Sequence, residues 1–243
     1  MKNTLKYILF IFSVLVLFSN CKNENKTTKE ETKSEYTPLS KEQVNANIRD
    51  EGIDPEYRKQ LENLVSMMED HPKSAKLYAE RANLFVLMKK TTQALSDISM
   101  AVDLDPDNAD YHTNKSQLLR QFKRNKDALL EIQKAIKLDP NSVGAHFNRG
   151  ALLFNMNNFE KALEDFTFCI KKRPEVGPPY FNRAFTYEQL HDIKAAKADL
   201  KKFKEISTNE EWKKIAQGKL DEWDKIDYKI IVKDKDRMES MGM

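Results

Sequence analysis

Basic side chains at regular intervals are the first residues in this sequence that could bind a charged ligand. They lie 34 positions apart, at Arg81, Lys115, Arg149 and Arg183. A ladder of cations could hold a phosphate or a carboxylate. However, an acidic residue follows each of them 16 positions later, as Asp97, Glu131, Asp165 and Asp199. Because every cation has its own acid at the same spacing, we interpret the pattern as salt bridges between paired helices, worth about 0.2–1 kcal/mol each if exposed.

Two histidines at the same interval could suggest a zinc site. His112 and His146 are 34 positions apart, and Tyr78 and Tyr180 occupy the corresponding positions on either side. If the repeating units stack, equivalent side chains are separated by about a helix spacing of 8–10 Å. One zinc ion cannot bridge that distance, so we interpret both histidines as packing residues.

An aspartate-rich stretch imitates the beginning of a calcium-binding loop. Asp103, Asp105 and Asp107 alternate as the ligands of such a loop do. Pro106 interrupts the stretch, no glycine follows it, and Asn114 stands where the closing glutamate is required. We therefore interpret the stretch as a turn and expect no metal ion.

Neither the motifs nor the composition indicates catalysis. The chain has no phosphate-binding glycine loop, no His-Glu-x-x-His metal motif and no nucleophile elbow. We therefore expect no enzyme activity, no catalytic residue, no cofactor and no small-molecule substrate. The net charge is only +3 over 243 residues, which gives no field that would favour nucleic acid. Charged residues make up 33% of the chain and glycines number only 6, a composition typical of a helical protein with much surface.

The elements that position these residues repeat with the same period of 34. Prolines mark it at Pro72, Pro106, Pro140 and Pro174. Small residues keep it in two series, Ala82, Ser116, Gly150 and Ala184, and Ala94, Ala128, Ala162 and Ala196. Larger apolar residues keep it at Ile98, Ile132, Phe166 and Leu200. A period of this length indicates stacked structural repeats.

The pattern resembles that of the tetratricopeptide repeat, a pair of antiparallel helices. Four such repeats can be assigned, to residues 75–108, 109–142, 143–176 and 177–210. The resemblance implies an all-α fold, a superhelical solenoid of antiparallel helix pairs, with the small residues where the two helices of a repeat cross. Ala101, Ala135 and Cys169 continue the series toward the next repeat, so we expect Cys169 to be a small buried hydrophobic residue.

Residues 40–74 are expected to cover the N-terminal end of the solenoid as a half-repeat. Ser40 and Gln43 fit a capping box that opens a short helix, which stops by Gly52. Asp54-Pro55 then begins a second helix, with the aspartate as its N-cap.

Residues 211–232 are expected to form a C-terminal capping helix. Its apolar stripe includes Trp212 and Trp223 and should cover the exposed end of the last repeat. The remaining tail, residues 233–243, is charged and then small, and we expect it to be frayed.

The first 20 residues resemble a bacterial lipoprotein signal peptide. Two lysines precede an apolar run, residues 7–18, which is too short to cross a bilayer. Cys21 follows the run and matches the cysteine that is lipidated in such proteins. Residues 21–39 would then form a disordered tether, because residues 22–35 contain no apolar side chain. The alternatives are an uncleaved membrane anchor and a cleaved signal followed by an unmodified cysteine.

The two resemblances together imply where the protein acts and where a partner binds. The signal implies an exported, membrane-anchored lipoprotein, at the outer membrane or the periplasmic face rather than the inner membrane. In tetratricopeptide proteins the first helices of the repeats line a concave groove for an extended peptide or a helix. The corresponding positions are Asn83, Asn114, Gln117, Phe147, Asn148, Phe154, Asn155, Phe181, Asn182 and Phe185.

The residue types in this groove suit a peptide. An amide side chain both donates and accepts, so it can pair with a peptide backbone. Asn114, Asn148 and Asn182 form a ladder one period apart. Phenylalanines would make the third and fourth repeats the main contact region; alternatively, some of them pack between repeats.

A clamp for acidic C-terminal tails, found in one subclass of the family, is not expected. Asn83, Asn114 and Asn148 match its amides, but Ala79 and Gly144 stand where the clamp has lysines, and Asn148 replaces its arginine. Without those cations a terminal carboxylate would not be held.

We therefore predict a non-enzymatic adaptor that is tethered to a membrane through Cys21. Its groove would bind a protein partner in the cell envelope. Two alternatives are a structural subunit that docks through its capped ends, and an accessory factor of cell-envelope enzymes.

Overall fold

The described part of the chain is built from α-helices. The computed structural model describes residues 39–49 and 52–240, with side chains as far as Lys225. These residues contain 11 helices and no strand. The helices are α1 Lys41–Arg49, α2 Pro55–Asp70, α3 Ala75–Leu87, α4 Thr91–Leu104, α5 Ala109–Gln121, α6 Asn125–Leu138, α7 Val143–Asn155, α8 Phe159–Lys172, α9 Gly177–Gln189, α10 Ile193–Ile206 and α11 Glu210–Ser240. The predicted all-α solenoid is confirmed.

The N-terminal predictions fall on both sides of the described boundary. The predicted signal peptide, Cys21 and residues 22–38 lie outside the described residues. Leu39, the last residue of the predicted tether, packs against the core next to the first repeat. Across residues 39–49 and 52–240, no helix combines the length and the apolar character that crossing a membrane requires.

The first two helices begin where the sequence predicts. The Gln43 backbone N–H donates to Ser40 Oγ at 3.2 Å, and the Ser40 N–H donates to Gln43 Oε1 at 2.8 Å, which completes a capping box. At α2, the Glu56 N–H donates to Asp54 Oδ1 at 2.8 Å, and Pro55 takes the first helical position. Helix α1 packs on α2, and α2 packs on α3 of the first repeat, with Leu61 of α2 fully buried.

Helices of the four predicted repeats pack in sequential pairs, α3 with α4, α5 with α6, α7 with α8 and α9 with α10. The two helices of a pair cross at the small residues. At Gly150, an added Cβ would lie 2.9 Å from the ring of Phe166, closer than real Cβ contacts come. Ser116 fits at the same position because its Oγ donates to the carbonyl oxygen of Ala128 at 2.8 Å. Close approach of the backbones is therefore what the small residues permit.

The C-terminal helix is longer than predicted. The sequence predicts a capping helix over residues 211–232 and a frayed tail from residue 233, whereas α11 continues to Ser240. Residues 226–240 contain neither glycine nor proline, so nothing in the sequence ends the helix there. The capping role itself is present, because Trp223 is buried against the last repeat.

Each repeat turns between its helices through a left-handed residue. These residues are Lys89, Lys123, Asn157 and His191, with φ of 59°, 59°, 59° and 63°. In each case the next backbone N–H reaches back to a carbonyl five residues earlier, as from Arg124 to Leu119 at 3.0 Å, in the manner of a Schellman motif. Glycine adopts this conformation without the steric penalty that a side chain causes, and none of the four positions has it.

Replacing Lys123 with glycine should therefore stabilise the protein. We expect Lys123→Gly to raise the free energy of unfolding by about 0.5–1 kcal/mol, because relief of the left-handed strain exceeds the added entropy of the unfolded chain. Urea unfolding followed by circular dichroism measures the change. Gln133→Gly, at an exposed site within α6, is the control and should lower the free energy of unfolding by about the same amount. Equal losses from both variants would contradict the strain assignment.

Candidate partner-binding surface

The solenoid has two unequal sides. Neighbouring first helices, α5 with α7 and α7 with α9, contact each other more closely than any neighbouring second helices do. A stack whose first helices are closer together curves toward them. The side formed by α3, α5, α7 and α9 is therefore the concave one, and we call it the groove.

Seven of the predicted groove residues keep exposed surface. Half-buried side chains are Asn83, Asn114, Gln117, Phe147, Asn148 and Phe154, and Asn155 is exposed. None of their five amide groups makes a side-chain hydrogen bond to another described residue. The structure thus brings together an accessible row of amide and aromatic side chains across the first three repeats. Their role in binding a partner stays a prediction.

The predicted groove is wrong at the fourth repeat. Phe181 and Asn182 are buried, with only 8% and 6% of their surface exposed. The ring of Phe181 meets that of Trp212 edge-on at 5.2 Å and lies 5.0 Å from Phe203. Phe185 keeps partial exposure, but its ring is 6.4 Å from that of Trp223. Helix α11 covers this end because the last repeat would otherwise expose an apolar face.

A polar contact fixes α11 in this place. Glu188 accepts from the indole N–H of Trp223 at 2.9 Å, and it pairs with Lys219 at 2.6 Å. Both partners are buried, so the contact is sheltered from water. The side-chain nitrogen of Asn182 is buried without a hydrogen-bond partner among the described residues. The accessible asparagine ladder therefore ends at Asn148.

The periodic cations are internal, as the salt-bridge interpretation predicts. Arg81 donates to both carboxylate oxygens of Asp97 at 2.6 and 2.7 Å, and Arg149 and Arg183 bind Asp165 and Asp199 in the same way. Lys115 is the exception because its contact with the acid is looser, with 3.5 Å between Lys115 Nζ and Glu131 Oε1. Arg81 and Asp97 are only 5% and 0% exposed. The value for an exposed pair therefore does not apply, and these cations are not ligand sites.

The two histidines do more than pack. His112 Nδ1 lies 2.5 Å from Glu131 Oε2, and its Nε2 lies 2.9 Å from the carbonyl oxygen of Pro106. His146 makes the equivalent contacts one repeat later. In each histidine, both ring nitrogens therefore face an oxygen that accepts hydrogen bonds. The Tyr180 hydroxyl donates to the carbonyl oxygen of Pro174 at 3.2 Å, so the residue at this position links the second, third and fourth repeats to the turn before each of them.

The acid of the second repeat is held ionised. Burial would raise the pKa of Glu131, but the hydrogen bond from His112 and the charges of Lys115 and Lys134 together lower it from 4.5 to about 2. Because the folded pKa is lowered, the ionised carboxylate adds stability above its ordinary pKa. That contribution is lost as pH falls from 4.5 toward 2.

The buried pair and the looser pair should respond differently to loss of the cation. We expect Arg81→Met to cost about 3–5 kcal/mol of unfolding free energy, because Asp97 is left as an uncompensated buried charge. Lys115→Met should cost no more than about 1 kcal/mol, because Glu131 keeps His112 and Lys134.

Denaturant unfolding of both variants measures the difference. Arg81→Met/Asp97→Leu is the control, and it should recover most of the loss because no lone charge remains. Equal costs for the two single variants would contradict the assignment.

The cysteine in the described part of the chain is buried. Burial raises the pKa of the Cys169 thiol to about 12, and its Sγ lies 3.4 Å from the carbonyl oxygen of Val143. Cys169 is therefore a buried small residue, as predicted. Among the described side chains, which end at Lys225, no group of three metal-ligating residues occurs.

One groove residue was not singled out from the sequence. Arg120 lies in the last turn of α5, three positions after Gln117 and six after Asn114, so it continues their stripe. The helical spacing of Arg120 from these two residues could have identified it as a groove residue. The interpretation of the cations followed the 34-residue period, and Arg120 does not belong to that series.

Sequence models of the tetratricopeptide repeat match three segments, residues 109–142, 143–176 and 178–210. No curated protein matches the chain as a whole. The similar solved structures described next share only 16–22% of their residues with this chain.

Three of these structures illustrate the likeness. YrrB, described as a TPR protein with an unusual peptide-binding site, has 22% identity and a TM-score of 0.57 over 67% of this chain and 84% of its own. PilW, a type IV pilus biogenesis factor, has 20% identity and a TM-score of 0.58 over 62% and 70%. MamA from Desulfovibrio magneticus has 16% identity and a TM-score of 0.56 over 67% and 90%. The matched segments and the paired helices identify residues 109–142, 143–176 and 178–210 of this chain as tetratricopeptide repeats.

Proposed function

We propose that this protein is a non-enzymatic adaptor that binds an extended peptide or a helix of a partner protein in the groove of its first three repeats. The observation that carries the proposal is the row of accessible amide side chains, Asn83, Asn114, Gln117 and Asn148, whose hydrogen-bonding capacity is unused within the described residues. Each can pair with a peptide N–H and C=O. YrrB, which shares the fold, is described as having a peptide-binding site.

The aromatic residues beside the ladder supply apolar contact. Phe147 meets the ring of Phe166 edge-on at 5.9 Å, and Phe154 meets that of Phe159 at 5.4 Å. These contacts fix both rings and leave part of each exposed. A fixed aromatic surface loses little entropy when it binds an apolar side chain.

Removing two rungs of the ladder should weaken partner binding. We expect Asn114→Ala/Asn148→Ala to reduce affinity roughly 10- to 100-fold, at about 1 kcal/mol or more for each lost amide. Crosslinking in native membranes identifies the partner, and titration with the purified partner gives the affinity.

Gln93→Ala/Gln133→Ala, on the second helices α4 and α6, is the matched control and should bind as the wild type does. Circular dichroism should show equal helix content in all variants. Unchanged affinity of the asparagine variant would refute binding at the groove.

A second candidate is a structural subunit that docks through α11. At 31 residues, α11 is much longer than the 13-residue first helices, so it extends beyond the repeat that it covers. Truncation after Lys225 separates the two candidates. Loss of the partner on truncation, together with full binding by the asparagine variant, would favour docking through α11.

We further propose that Cys21 carries a lipid that holds the protein at a membrane of the cell envelope. The apolar run before Cys21 and the polar stretch after it support this anchor. We expect Cys21→Ser to leave the membrane fraction for the soluble one and to lack the acyl mass in intact-protein mass spectrometry. A serine variant that stays in the membrane would contradict lipid anchoring while leaving the groove unaffected.

A further inference from the structure

The groove contains a cation that differs from all the periodic ones. Arg81, Arg149 and Arg183 each hold a carboxylate with two hydrogen bonds. The guanidinium of Arg120 makes no hydrogen bond or ion pair with any described residue, although Arg120 is half-buried.

No described acidic residue compensates the charge of Arg120. Burial lowers the pKa of its guanidinium, and no acid among the described side chains offsets this effect. The side chain nevertheless stays charged at neutral pH. Glu80 is an acid on the groove side of the preceding repeat, but it pairs with Lys76, with 3.7 Å between Lys76 Nζ and Glu80 Oε1. A half-buried cation without a partner costs free energy that an incoming anion would recover.

The neighbouring side chains define what kind of anion fits. Val86 and Phe154 stand one period before and after Arg120, and both are half-buried apolar residues. Gln117 precedes it by one helical turn. The position of Arg120 is therefore flanked by apolar residues in the neighbouring repeats and by amides along α5, which suits a carboxylate on a peptide better than a free, fully hydrated ion.

We propose that Arg120 is the anion-binding contact of the groove and that the partner segment presents one carboxylate to it, beside an apolar side chain that contacts Phe154. This inference rests on the proposed function, because it concerns the same groove. Asn114 and Asn148 bind the backbone of the segment while Arg120 selects its acid. A guanidinium binds a carboxylate through two parallel hydrogen bonds, so one residue is enough for selection.

Two random peptide libraries test the proposal on the full chain in detergent. One has amidated C-termini and includes Asp and Glu, and the other has free C-termini and lacks both residues. We expect the wild type to enrich peptides in which a carboxylate adjoins Leu, Ile or Phe. The library that yields binders identifies whether a side chain or a chain terminus supplies the carboxylate.

The selected peptide then enters a double-mutant cycle. Removing its carboxylate, by Asp→Asn, Glu→Gln or amidation, should weaken binding to the wild type roughly tenfold or more. It should change binding to Arg120→Met by less than about twofold. Arg124→Met, one turn further along the chain, is the control and should behave as the wild type does.

Thermal unfolding provides an independent readout. Arg120→Met should melt no lower than the wild type, because the substitution removes a charge that has no partner in the fold. A lower melting temperature would assign Arg120 a structural role and overturn the proposal.

The binding outcomes separate this inference from the proposed function. Peptides that bind the groove without any preference for a carboxylate would overturn the role of Arg120 and leave the adaptor function standing. Equal sensitivity of the wild type and Arg120→Met to removal of the carboxylate would do the same. If neither library yields a peptide that binds the wild type, both proposals fail.

Discussion

The close crossing of two helices inside each repeat is the constraint on which the rest of this structure depends. Only small residues let the backbones approach there, and at Gly150 even a Cβ would meet the ring of Phe166 at 2.9 Å. The same position is Ala82, Ser116 or Ala184 in the other repeats. The same close approach lets Arg81, Arg149 and Arg183 each donate two hydrogen bonds to the paired acid. Packing and ion pairing therefore fix the same angle between the helices, and a fixed angle repeated every 34 residues makes a regular solenoid.

A solenoid of this kind uses its residues unequally. One set of residues holds the stack together. It comprises the crossing residues, the ion pairs and the links from His112, His146 and Tyr180 to the preceding prolines. Other side chains of the first helices point away from these contacts and take no part in them. Amides, aromatic rings and Arg120 collect there in the first three repeats, and this separation of roles is the reason we propose the groove as the partner-binding surface.

The last repeat has a different requirement, which explains why Phe181 and Asn182 are buried. A terminal repeat has no successor, so its apolar face must be covered. Helix α11 does this with Trp212 and Trp223, and it draws on the same aromatic residues that would otherwise have lined the groove. An aromatic residue on a first helix looks the same in sequence whether it faces a partner peptide or a capping helix. Sequence position alone therefore could not separate Phe147 and Phe154 from Phe181.

The sequence by itself determined the all-α repeat architecture, the crossing residues, the salt bridges and the starts of α1 and α2. Each of these depends on local spacing, which a period of 34 residues records directly. Only the tertiary structure decided which groove residues stay accessible, that the histidines contact an acid and a carbonyl, and that no acid among the described side chains pairs with Arg120. It also showed that α11 continues to Ser240. Accessibility and charge pairing at these positions are set by residues far apart in the chain, and no local pattern carries that information.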